Sequence, residues 1–473
     1  MAKAVQSPAH SPVMLPAARR LDRRMLAVAA ALFVLAAAGY AADVALHPLR
    51  LTLTWFDLNI YNDAGLVTRH ATNTLYTWQF LPGVKYLYTP FAALGFAAGS
   101  LLPWAVLKWL MVVASFAAMI GTVWLALRQL GWRGRDRAAL ALGVSAVALW
   151  YEPVLRSVQV GQIELLLMVL IAWDLCQPDG RRWKGLGIGL AAGIKLVPLI
   201  FIPYLLLAGK IRQAVVALAV FAGTVLAGFA ILPYDSVKWW LTGYFLHAGN
   251  FASVGLGSLL NQSVLALVTR TPAGSGTVTL LWLAAAALIA ATGLAAAAML
   301  TRSGRPTAGW VTCGLTSVLI SPISWDNHWI WIVPLLAILA GAAVRASGPA
   351  RWGYAALAAA MTAVFADWPG HWTGPHALVP HGLVGFFTGR HPKTEIFHLH
   401  GTQLIGWNLY VLAGLVIFVA ILVAAVRSWR QAHPSDVVSQ VRSQMAGGHG
   451  DDRTDHPAAR AADLAARPGR GSR

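Results

Sequence analysis

The sequence predicts an all-α polytopic membrane protein, a bundle of about ten to twelve spans with half-helices and long polar connections. Three observations carry this. Hydrophobic residues make up 58% of the chain and charged residues only 11%, with a mean hydropathy of +0.61. The apolar runs alternate with short basic connections. The 21 Trp residues suit a protein with many membrane edges. A formal charge of +18 would suggest nucleic acid in a soluble protein. Here the bases sit mainly in short loops and in the two tails, the positive-inside pattern, and a nucleic-acid partner is excluded. Cys176 and Cys313 both lie in apolar segments and read as small buried hydrophobes, with no zinc spacing and no disulfide framework.

Residues 1–23 form a Pro/Ala/Ser-rich tail ending in arginines. They precede an apolar run with no small-residue cleavage site, so a retained first helix with a cytoplasmic start is expected. The membrane domain covers residues 24–427, and residues 428–473 read as a disordered cytoplasmic tail. Basic clusters fall at 128–137, 181–184, 210–212, 302–305, 345–351 and 427–430. Placing them all in the cytoplasm gives spans at 24–42, 105–127, 138–154, 164–177, 213–232, 277–300, 308–320, 329–345, 352–366 and 404–426. Two apolar pieces break the parity. Segment 87–102 holds Pro90 and ends at Pro103, and segment 185–207 holds Lys195, Pro198 and Pro203. Both are expected to be re-entrant or half-membrane elements, which are tolerated only against protein or a cavity. Every polar motif then falls on the outer face.

Asp57 opens the polar set, directly after the first span. Asp63 is six residues on, about 240° round a helix, so only one of the two faces inward. Asp57, with the more apolar neighbours, is the candidate general base; the alternative is a solvated loop with two unremarkable acids. Tyr61, and Tyr88 in Tyr86-Leu87-Tyr88-Thr89-Pro90, offer a wall for a sugar or prenyl chain, or an interfacial aromatic belt. In the turn Arg156–Glu164, Gln159, Gln162 and Glu164 suit sugar hydroxyls and Arg156 a phosphate; the alternative is helix-end capping. Lys195 lies deep in a Gly-rich apolar stretch and either snorkels or meets an anion. Asn261, Gln262, Trp325, Asp326 and His328 occupy two further polar turns. His328 either assists the leaving phosphate or is a packed interfacial residue. The six histidines of loop 367–403 follow no metal pattern, and an interfacial flap is favoured over a metal site.

The order of these motifs resembles glycosyltransferase family 87, over about residues 24–430. They are Asp57-Leu58-Asn59-Ile60-Tyr61, Leu75-Tyr76, Tyr88-Thr89-Pro90-Phe91, Gln159-Val160-Gly161-Gln162, Gly193-Ile194-Lys195-Leu196-Val197-Pro198, Asn261-Gln262-Ser263 and Ser321-Pro322-Ile323-Ser324-Trp325-Asp326-Asn327-His328-Trp329. The resemblance implies a GT-C fold and a glycosyltransferase of the actinobacterial cell envelope. Its implied donor is a polyprenyl-phosphate mannose, and its implied acceptor a phosphatidylinositol mannoside or lipomannan. It also assigns the catalytic base to Asp57. The chain departs from the family in having Asn327 before His328, where a second histidine is usual, and Thr89 where a proline is usual.

The expectation is a monomeric plasma-membrane enzyme working on the outer face among membrane lipids, with no cofactor and no metal. Asp57 would deprotonate the acceptor hydroxyl while Arg156, Lys195 or His328 stabilises the leaving phosphate. Arabinofuranosyl transfer is the alternative chemistry. A lipid or sugar transporter is the alternative class, and it predicts midplane polar groups with internal repeats.

Overall fold

The computed structural model describes residues 23–46, 54–70, 73–80, 84–246, 255–368, 382–384 and 401–434. Its described residues are helical throughout, apart from connecting loops and three isolated β-bridges. Residues 1–22 of the predicted N-terminal tail, residues 435–473 of the C-terminal one and nearly all of the His-rich loop, including its six histidines, lie outside them; the start of the predicted C-terminal tail, up to Ala432, instead continues the last helix.

A long apolar helix, α1 (Arg23–Leu46), leads to the short amphipathic α2 (Phe56–Arg69) and the Pro-initiated α3 (Pro90–Gly99). The next helices are α4 (Trp104–Gln129), α5 (Gly134–Ala148), α6 (Glu152–Val160) and α7 (Glu164–Leu175). Then come α8 (Leu186–Ile194), α9 (Phe201–Leu207), α10 (Ile211–Ile231), α11 (Pro233–Ser236) and α12 (Val264–Thr269). The C-terminal half holds α13 (Ser275–Arg302), α14 (Pro306–Ile320), α15 (Ile332–Arg345), α16 (Gly348–Phe365), α17 (Thr402–Trp407) and α18 (Leu409–Ala432).

Six of the described helical stretches are long and apolar enough to cross a membrane, seven if α6 and α7 count as one bent span. Others of the predicted spans are shorter. α5 and α14 have 15 residues each, about 22 Å against a hydrocarbon core of about 30 Å. The core runs through α4, α5, α7, α14 and α15, with Trp132, Trp310 and Trp329 among its largest buried side chains. α1 packs on α5 at the edge. A second cluster joins α2 and α3 to Tyr76, Tyr86, Trp239 and Tyr244.

Both segments that broke the parity are short elements. Segment 185–207 is two half-helices, α8 and α9, separated by Lys195 in extended backbone (φ −139°, ψ 134°) and a 3₁₀ turn at Val197–Ile200. Both of its ends are tied to the basic side of the bundle. Gly185 N–H donates to Asp174 at 2.8 Å, and Lys210 pairs with Asp179. Lys195 is therefore the tip of a re-entrant hairpin. α3 packs on α2, α8 and α10, and Thr89 caps it by accepting from Ala92 N–H at 3.1 Å. The Thr89 hydroxyl also donates to the Gly193 carbonyl. Thr89 thus fastens α3 to the hairpin tip.

The stretch Glu152–Val160, expected as the end of a span and a turn, is instead a nine-residue helix. All nine residues are buried, and the helix meets α7 at 116°. Val154, Leu155 and Val158 fall on one side of it and Glu152, Arg156 and Gln159 on the other, but at nine residues, directly after an apolar run, it is too short for periodicity to mark it as a separate helix.

Candidate active site

The site is built where α2, the α6–α7 bend, the hairpin tip and the 321–331 turn meet. The first turn of α2 is docked by its backbone: Trp55 N–H donates to the Gln159 carbonyl at 3.1 Å, with Trp55 in the left-handed region (φ 53°). The bend facing it requires glycine. Gly161 has φ 72°, and a Cβ there would lie 2.6 Å from Leu58 Cβ. Asp57 follows in that first turn, half-buried. Among the described residues no hydrogen bond or ion pair holds its carboxylate. Burial pushes its pKa up to about 7, against the opposing pull of Lys195, with smaller effects of Glu164, Arg156 and Asp326. Asp63 stands on another side of the helix, where burial raises its pKa and its partner is Asn62.

Beside Asp57 is an aromatic and amide wall. The Tyr61 and Tyr88 hydroxyls are 2.7 Å apart. Both donate to Gln162 Oε1, Tyr88 at 2.8 Å, and that oxygen also accepts from Ile163 N–H at 3.0 Å. Tyr61 stacks on Phe96 with centroids 4.4 Å apart.

Next comes the ionic group. Lys195 Nζ pairs with Glu164 Oε1 and lies 5.3 Å from the Tyr88 ring centre. His328 Nε2 is 3.0 Å from the same carboxylate oxygen. These side chains keep 19%, 11% and 13% exposure, for Lys195, Glu164 and His328. They line a cavity together with Ser317, Ser321 and Ser324 and with apolar residues such as Leu167, Met168, Val318 and Trp331.

Arg156 and Asp326 form a second, sealed pair, 3.6 Å apart with 3% and 2% side-chain exposure. Arg156 also donates to Gln159 Oε1 at 2.7 Å. Among the three predicted phosphate-binding groups, the structure therefore sets Lys195 and His328 on a cavity and encloses Arg156. Sequence reasoning missed Glu152 and Tyr410: the Tyr410 hydroxyl donates to Glu152 Oε2 at 3.0 Å beside Asp326. No local spacing links residues so far apart in the chain.

Asn261 and Gln262 are occupied by backbone. The Asn261 amide donates to the Leu256 and Pro322 carbonyls at 3.0 and 3.1 Å, and its oxygen accepts from Ser324 N–H at 3.0 Å. Gln262 donates to the Leu259 and Trp407 carbonyls, both at 2.8 Å, and accepts from Tyr410 N–H at 3.2 Å. Trp325 is half-buried in a β-bridge with Asn261. Buried Arg270 binds the Asn261 carbonyl and Asn408 Oδ1, both at 2.6 Å. Together these contacts fasten the loop before α12 to the 321–325 turn and to α18. Both cysteines are free, Cys313 buried and Cys176 half-buried. Among the described residues no group of His, Cys, Asp or Glu side chains has the arrangement of a metal site.

The fold and this site define a multi-pass helical membrane protein with one inward-facing cluster of acid, lysine, histidine and tyrosine. The family model for glycosyltransferase family 87 matches residues 86–322, and the chain belongs to that family. Similar proteins include a polyprenol-phosphate-mannose-dependent alpha-(1-2)-phosphatidylinositol mannoside mannosyltransferase from Mycobacterium tuberculosis. It is 28% identical over 373 residues, 77% of this chain and 82% of the relative. A polyprenol-phosphate-mannose-dependent alpha-(1-2)-phosphatidylinositol pentamannoside mannosyltransferase from the same species is 30% identical over 313 residues, 64% of this chain and 70% of that protein. The pentamannoside enzyme of Mycolicibacterium smegmatis is 30% identical over 284 residues, 58% and 66% of the two chains. No solved structure matches the chain.

Proposed function

We propose that this membrane glycosyltransferase moves mannose from a polyprenyl-phosphate mannose to a phosphatidylinositol mannoside-type glycolipid. One observation carries the reading: a half-buried Asp57, with no hydrogen-bond or ion-pair partner among the described residues, beside a lysine–glutamate–histidine group that lines a cavity. The named activities of the similar proteins support the choice of donor and acceptor.

Asp57 removes the acceptor hydroxyl proton as that oxygen attacks the anomeric carbon. With a pKa of about 7, Asp57 is matched to proton abstraction near neutral pH. The C–O bond to phosphate breaks, and the lipid phosphate leaves with the electron pair. Lys195 and His328 receive its charge, and Glu164 holds both until the donor arrives. A phosphate already leaves well, so one base and charge stabilisation suffice without a resident cofactor. This differs from glycosidases, which work with two carboxyl groups. Tyr61, Tyr88 and Gln162 wall the sugar. The enzyme acts as a monomer in the plasma membrane, with the site on the outer face, opposite the basic loops.

The test is transfer of labelled mannose from polyprenyl-phosphate mannose to phosphatidylinositol mannosides in membranes carrying wild type or Asp57→Asn. Product with wild type and none with the variant is expected. Transfer of arabinose alone, or near-normal turnover by Asp57→Asn, would overturn the assignment.

A further inference from the structure

One cation close to the Asp57 turn takes no part in the mechanism above. Lys108 lies in the second turn of α4, half-buried, and does not line the Lys195 cavity. Its ammonium group is 5.8 Å from the centre of the Trp55 ring and 5.7 Å from that of Trp104. Both distances are within reach of a cation–π contact. Among the described residues these two rings are its partners, and no carboxylate neutralises it.

The helix sets the depth of this charge. Lys108 comes twenty residues before Arg128, which belongs to the basic cluster at the other end of α4. Twenty residues of helix rise about 30 Å, the thickness of the hydrocarbon layer. With Arg128 at one surface, Lys108 stands at the other, level with the lipid phosphates. Val106, Trp109 and Leu110 beside it are exposed, so this part of α4 faces lipid. A lysine in that place reaches for the headgroups, where a phosphate is its counter-ion.

The Trp55 ring connects the charge to the reaction centre. Trp55 precedes Asp57 by two residues, and its N–H is held by the Gln159 carbonyl at 3.1 Å. We propose that Lys108, between Trp55 and Trp104, binds the phosphodiester of the acceptor glycolipid. The acyl chains then lie along α4, and the sugar runs past Trp55 toward Asp57. The donor phosphate is met separately, by Lys195 and His328. This inference rests on the mannosyl-transfer reading above.

The test compares two acceptors. With a phosphatidylinositol mannoside, Lys108→Ala should raise the acceptor KM about five- to tenfold, the scale of one lysine at a charged lipid surface. The donor KM and kcat should change less than about twofold. Lys108→Arg keeps the charge and the ring contacts, and its acceptor KM should stay within about twofold of wild type. With an alkyl mannoside, which has a sugar and an apolar tail but no phosphate, the penalty of Lys108→Ala should vanish. An equal penalty with both acceptors would overturn the proposal, because Lys108 would then only hold Trp55 in place. So would an acceptor KM that Lys108→Ala leaves unchanged. A penalty that appears only when phosphatidylglycerol is added to phosphatidylcholine nanodiscs would also overturn it, since the phosphate bound would be that of a bulk lipid. Native mass spectrometry of the purified protein gives a readout without turnover. Wild type should retain phosphatidylinositol over phosphatidylcholine, and Lys108→Ala should lose that preference. If wild type transfers no mannose, the reading of function fails, while this difference in binding still decides the phosphate site.

Discussion

Asp57 and Asp179 are the same side chain at opposite ends of the bundle, and their surroundings drive them in opposite directions. Asp179 follows α7 on the basic side, with a side chain 56% exposed. Lys184 meets it at 2.9 Å, Lys210 also pairs with it, and Gln213 donates to it at 2.9 Å. Partial burial raises its pKa, but the two lysines outweigh this and hold it below the usual carboxylate range. Asp57 is about one helix length away, on the other side of α7, and has no such partner. Burial wins there and lifts it to about 7. A satisfied acid fastens loops together. An acid left unsatisfied beside a cavity is available to take a proton.

The largest expected effect separates these two directly. Asp57→Asn should lower mannose transfer by about a thousandfold, within the usual range for a lost general base, while Asp179→Asn leaves turnover within about twofold. Equal losses from both variants would show that the difference in environment has no functional meaning. Next in size, Lys195→Ala should cost about a hundredfold in kcat, the scale of one lost charge-stabilising donor. Lys210→Ala, at an exposed pair worth about 1 kcal/mol or less, should leave the rate nearly unchanged.

Third is pH. A base must be ionised to act, so kcat/KM should rise with pH and level off above about 7, the value for Asp57. Below that it should fall about tenfold per unit. A limb at the ordinary carboxylate value would place the base elsewhere. Smaller again, Gly161→Ala should destabilise by about 1–3 kcal/mol, since alanine is strained at φ 72° and its Cβ would meet Leu58. It should also reduce turnover by moving the Asp57 turn, readable as a kcat loss at unchanged amounts of folded protein. The smallest effect is on stability. A raised folded-state pKa means that this group's contribution is present below about pH 4 and is lost as pH rises through about 7. Asp57→Asn should therefore raise Tm slightly at neutral pH.

The hairpin tip was legible in the sequence because Lys195 between Pro198 and a glycine run has no stable place in a lipid-facing helix. The span count was less legible. α5 and α14 are too short to cross a bilayer alone, and hydropathy cannot separate a span from a short helix buried by its neighbours. The polar turn before Glu164 was legible as polar but not as helix, because α6 has only nine residues and follows directly on an apolar helix. Lys195 and His328 stood out as candidate ligands. Their shared partner Glu164, 31 residues before Lys195 in the chain, became visible only once α7 and the hairpin were side by side.

By itself the sequence determined that this is a helical membrane protein, which motifs interrupt its apolar runs, and which family those motifs resemble. These are matters of composition and local order, where the cost of polar backbone and charge in hydrocarbon leaves few choices. Only the tertiary structure decided which charges meet. It brought Lys195 and His328 to Glu164, enclosed Arg156 with Asp326, brought Glu152 to Tyr410, and left Asp57 without a partner among the described residues. The physical reason is that an ion's state depends on the few ångströms around it. In this bundle those neighbours come from helices far apart in the chain, docked through close approaches such as Gly161 on Leu58.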